Sequence, residues 1–106
     1  MLKYAGVSII FLAAVPAMAQ DLEEGLRLAI ANCSQCHALG ESDASPFKDA
    51  PPFRIIHMNY GEGELEQTFK DGIVVAHPAM PSWRMTPAQA KALAAFIMSF
   101  GPAKEE

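Results

Sequence analysis

Cysteine is scarce in this chain of 106 residues: there are two, Cys33 and Cys36, three positions apart. A disulfide between them would close so small a loop that it would restrain the unfolded chain very little. No second Cys or His pair follows at finger spacing, which leaves a structural zinc site short of donors. Internal repeats, low-complexity tracts and alternating strand patterns are also missing, so the class expected is all-α. After Gln20 no apolar run approaches the roughly 20 residues that cross a bilayer. Basic residues are few, eight Lys and Arg against twelve Asp and Glu, giving a formal net charge of −4. An acidic balance of this kind argues against a nucleic-acid partner.

What is present begins with a distinct leader. Over residues 1–19 the only charge is Lys3, an apolar run extends from Ala5 to Val15, and the stretch closes on Ala17-Met18-Ala19. A basic start, a short apolar core and small residues before a cut form a secretory signal peptide. Cleavage after about Ala19 leaves residues 20–106 as one domain, without a transmembrane span and with Lys3 gone, at a formal charge of −5. The compartment expected is the periplasm. A domain this short buries little surface and leans on a cross-link, metal or cofactor.

Cys33-Ser34-Gln35-Cys36-His37 supplies that support. A disulfide or a zinc site leaves His37 or the missing ligands unexplained. A thioredoxin-like redox pair follows a strand, whereas Leu22 to Asn32 has helical spacing. The remaining reading is covalent haem attachment: two thiols add to the haem vinyl groups, and the adjacent imidazole ligates iron.

Around the motif, Asp21 and Glu24 have the spacing of a capping box opening a helix. Leu22, Leu26, Ala29 and Cys33 trace its apolar face. Gly25 inside that helix is either a tolerated defect or a point of close approach to another helix. A helix from Glu64 to Asp71 is expected to turn Leu65 and Phe69 inward and to stop at Gly72. The last helix opens at Thr86-Pro87-Ala88-Gln89 and ends at Gly101-Pro102, with Ala90, Leu93, Ile97 and Phe100 as its apolar stripe and Phe96 beside it. Residues 40–60, with Pro46, Pro51 and Pro52, have no clear period and imply an ordered loop with one helical turn at most.

Opposite His37 the candidate iron ligands are Met58, Met80, Met85, His57 and His77. Met80 is favoured because Pro78 and Pro81 fix the backbone on both sides of it; His77 is the runner-up. A thioether is a soft donor that favours reduced iron.

Taken together, the haem motif after a helix, a proline-bearing loop, Met80-Pro81 and a final amphipathic helix resemble the class I cytochromes c. The resemblance implies crossing N- and C-terminal helices, with Gly25 against Phe96 and Leu93, and loops wrapped around one haem c attached through Cys33 and Cys36. It further implies His37 and Met80 as iron ligands and a carbonyl of Pro51 or Pro52 bonded to the proximal imidazole. Tyr60, Trp83 and Arg54 are candidates for contact with haem propionates or the distal face. The function implied is carriage of single electrons between a redox donor and acceptor, such as a dehydrogenase or oxidase, without catalysis. The alternatives are a haem subunit of a periplasmic redox enzyme and a haem gas sensor.

Overall fold

A computed structural model of the chain describes residues 5–12, 16–72 and 80–101. Among these residues there are four helices and no strands: α1 (Ala17–Asn32), α2 (Phe53–Asn59), α3 (Glu62–Asp71) and α4 (Pro87–Met98). No helix is long and apolar enough to cross a membrane among the described residues.

The scaffold is the pairing of α1 with α4, onto which α3 packs. At Gly25 the backbones of α1 and α4 come into close contact. A Cβ there would overlap the Ala92 carbonyl oxygen and come within 2.6 Å of Phe96 Cβ. The expected neighbour Phe96 is therefore present, and Leu93, the other residue expected beside it, lies in the core at 1% exposure. The resulting core joins Ala29 of α1, Phe53 of α2, Leu65 and Phe69 of α3, Met85, and Ala90, Leu93, Ala94 and Ile97 of α4.

Two local readings hold in detail. Thr86 caps α4: its Oγ1 accepts from Gln89 N at 3.2 Å, and its own N–H donates to Gln89 Oε1 at 3.0 Å. Gly72 ends α3 with φ at 101°, a conformation that side chains with a Cβ rarely adopt.

Elsewhere the structure corrects the expectation. The helix expected to open at Asp21 starts four residues earlier, after Pro16, because Ala17-Met18-Ala19-Gln20 are all good helix formers. No side-chain cap forms there. Asp21 instead reaches Lys91 of α4 at 3.6 Å, and Glu24 accepts from Arg27 Nε at 2.8 Å. The buried face of α1 is Gly25, Leu28 and Ala29, with Leu26 exposed, since α4 approaches on the glycine side. The last helix stops at Met98 rather than at Gly101, its final turn closing as Ser99 Oγ donates to the Phe96 carbonyl. Residues 53–59 form a true short helix, whose first turn follows directly on Pro51-Pro52.

Candidate haem site

α1 does not end cleanly at Asn32 but runs into a turn that presents the motif. Cys33 N donates to the Ala29 carbonyl at 2.8 Å, Cys36 N and His37 N both donate to the Cys33 carbonyl at 3.1 and 2.9 Å, and Ser34 Oγ donates to Ile30 O at 2.6 Å. Helical winding brings positions 33, 36 and 37 to one side. Both sulfurs and the imidazole accordingly line a single cavity of about 270 Å³. Burial pushes the Cys33 thiol up to about 11, so it is held as the neutral thiol at neutral pH.

The imidazole is oriented by backbone. His37 Nδ1 lies 2.7 Å from the carbonyl oxygen of Pro51. A carbonyl can only accept, so Nδ1 carries the proton and Nε2 keeps its lone pair free for a metal. Of the two prolines the sequence left open, Pro51 is the partner. Beside this bond Phe53 N donates to Ala38 O at 3.0 Å, so the chain after His37 and the chain before α2 run together as two rungs. The Phe53 ring sits 5.6 Å from the imidazole and 6.1 Å from Phe96, which packs 5.5 Å from Phe100. A row of aromatic rings thus carries the packing from His37 to the α4 end of the scaffold.

The cavity walls are almost wholly apolar. Leu65 and Phe69 come from α3, Leu93 and Ile97 from α4, and Phe53 and Ile56 from α2. Met80, Pro81 and Trp83 close another wall, and Met80 is half-buried against the core. Met85 N donates to the Phe69 carbonyl at 3.0 Å, which pins this segment to α3.

Each candidate can now be located. Cys33, Cys36, His37 and Met80 share the cavity, with Tyr60 and Trp83. Met85 also borders it but is 4% exposed and belongs to the core. Met58 is 69% exposed and His57 packs beside Gly101; neither borders the cavity. Arg54 is not at the cavity either: its guanidinium turns to the loop at Gly40 and Asp43, a pairing no local pattern signalled. His77 and Pro78 lie outside the described residues.

An apolar cavity holding two thiols, an imidazole with a free Nε2 and a thioether fits haem, which asks for axial N or S donors and a dry surround. The all-helical scaffold and this donor set define a c-type cytochrome domain. The family described as cytochrome c oxidase, cbb3-type, subunit III matches residues 20–97, most of the chain, and the chain belongs to that family. No curated protein and no solved structure matches it. The protein is a small c-type cytochrome, a domain type whose group is haem c and whose chemistry is haem-based electron transfer.

Proposed function

We propose that the protein is an exported single-electron carrier of the class I cytochrome c type, working in the periplasm and catalysing no reaction of its own. One haem c is held through thioether links to Cys33 and Cys36, with His37 and Met80 as the axial ligands. The observation that carries this reading is that His37, already oriented by Pro51, shares one apolar cavity with Met80.

When bound, the haem supplies a one-electron ferric/ferrous couple. The chain's residues make that couple usable. His37 contributes an imidazole whose donor strength is raised by its bond to a carbonyl. Met80 contributes a thioether that favours the reduced state and so raises the potential. Leu65, Phe69, Leu93 and Ile97 keep water out, which reduces the rearrangement each electron transfer requires.

The test is a redox-controlled absorption spectrum and potentiometric titration of the periplasmically expressed protein beside Met80→Ala. Loss of sulfur ligation and a lowered potential in the variant are expected. A variant indistinguishable from the parent removes Met80 from the ligand set.

A second reading, a haem c subunit of a periplasmic redox complex, is favoured by the description of the matching family as an oxidase subunit. Stoichiometric co-purification with a catalytic partner from detergent-solubilised membranes supports it over the free carrier. A gas sensor needs an open distal position, and rapid carbon monoxide binding to the reduced protein with Met80 intact would favour that role.

A further inference from the structure

Arg54 is a charged side chain close to the site that does not border the cavity. It lies in the first turn of α2, three residues after Pro51, and borders a separate open groove with Leu39, Glu41 and Phe96. Its Nη1 donates to the backbone carbonyls of Asp43 at 2.7 Å and Gly40 at 3.3 Å, and the Asp43 carboxylate stands 3.8 Å away. The loop it grips is tightly folded. A Cβ at Gly40 would overlap the Asp43 carboxylate, and Ala38 N donates to Ser45 Oγ at 3.0 Å.

That loop leads directly out of His37. The two rungs that align it with the start of α2 are His37 Nδ1 to Pro51 O and Phe53 N to Ala38 O. Arg54 adds a third, charge-assisted tie between the same two segments, and such bonds are about twice as strong as neutral ones. We propose that Arg54 is a positioning residue for the axial imidazole. By strapping the Gly40–Asp43 backbone to the first turn of α2, it keeps the Pro51 carbonyl on His37 Nδ1 and so sets the ring's orientation and donor strength.

The proposal rests on His37 being the proximal ligand and makes a prediction of sign. Loosening the Nδ1–H bond weakens the imidazole as a donor, which favours ferrous iron and raises the potential. Removing a positive charge without moving the ring disfavours the reduced state and lowers it. Arg54→Met and Arg54→Lys in the haem-loaded protein separate the two effects. The readouts are solvent exchange of the His37 Nδ1 proton by NMR and the midpoint potential. For Arg54→Met, exchange is expected to quicken by about fivefold or more, the equivalent of one hydrogen bond, with the potential rising. Arg54→Lys keeps the charge but loses the planar fork, and moves both readouts the same way by less. Asp43→Asn leaves the exchange rate unchanged, since Arg54 grips the backbone of Asp43, and moves the potential only by the slight rise that loss of an exposed negative charge brings.

Exchange at the parent rate in both Arg54 variants overturns the proposal, as does a lowered potential with unchanged exchange. An Asp43→Asn effect on exchange equal to that of Arg54→Met also overturns it, because the carboxylate would then hold the role. If Arg54→Met takes up no haem, Arg54→Lys carries the test on the same criteria. Failure of the underlying reading is distinct: the parent protein itself would then lack a histidine-ligated, low-spin spectrum.

Discussion

Gly25 and Ala92 meet backbone to backbone, α1 against α4, with no room between them for a methyl group. Gly25→Ala must push the helices apart or displace Phe96, and overpacking of this kind costs about 1–3 kcal/mol even though alanine is the better helix former. Gly63, inside α3, faces nothing within 4 Å. Gly63→Ala is expected to stabilise by about 0.5 kcal/mol through the unfolded state. Urea unfolding of both variants, followed by circular dichroism, tests the pair; equal effects would mean that the close approach is not what Gly25 provides.

Thr86 acts locally. Thr86→Ala removes the side-chain acceptor for Gln89 N at the start of α4 and is expected to cost about 1 kcal/mol. Neither Thr86 nor Gln89 borders the cavity, so the potential should stay at the parent value. A shifted potential would show that α4's first turn bears on the cavity.

Leu93 belongs to the core and to the cavity wall at once, being 1% exposed and bordering the haem site. Leu93→Ala should lose about 2–5 kcal/mol in unfolding experiments. It should also admit water beside the iron donors, which makes carbon monoxide binding to the reduced protein faster than in the parent. A stability loss with unchanged carbon monoxide kinetics would confine Leu93 to the core.

The surface charge yields a prediction about partners. Twelve acidic against eight basic residues favour approach to a basic docking site. Stopped-flow electron transfer to a basic redox protein should slow steeply between low and physiological salt. Rates indifferent to salt would eliminate electrostatic steering.

Features with a local cause were legible in the sequence. The Thr86–Gln89 capping box, the stop at Gly72 and the run of α1 into the Cys33–His37 motif each depend on residues within a few positions of one another. What was not legible depends on which neighbour arrives. Helical spacing in α1 fits either Leu26 or Leu28 as the inward residue, and only the approach of α4 at Gly25 turns Leu28 in. α2 is seven residues long, too short for a period to show beside three prolines. The choice between Pro51 and Pro52, and the turning of Arg54 to the Gly40–Asp43 backbone, are tertiary contacts fourteen or fewer residues apart that no spacing rule encodes. Met80, singled out for its flanking prolines, borders the same cavity as the residues of the motif.

The meeting of α1 and α4 also bears on how the chain comes to be folded. These helices lie near opposite ends of the domain, and joining them closes almost the whole intervening chain in a single long loop, an entropic toll incurred before most rewards arrive. The residues from Gly40 to Asp49 lie inside that closure and are mostly exposed, unlike the buried faces of the joined helices. Local opening should therefore begin among them while α1 and α4 remain clasped. Hydrogen exchange would then find the slowest amides around Ala29 and Leu93 and the fastest in the loop from Gly40 to Asp49, so the molecule can open on one side without coming apart.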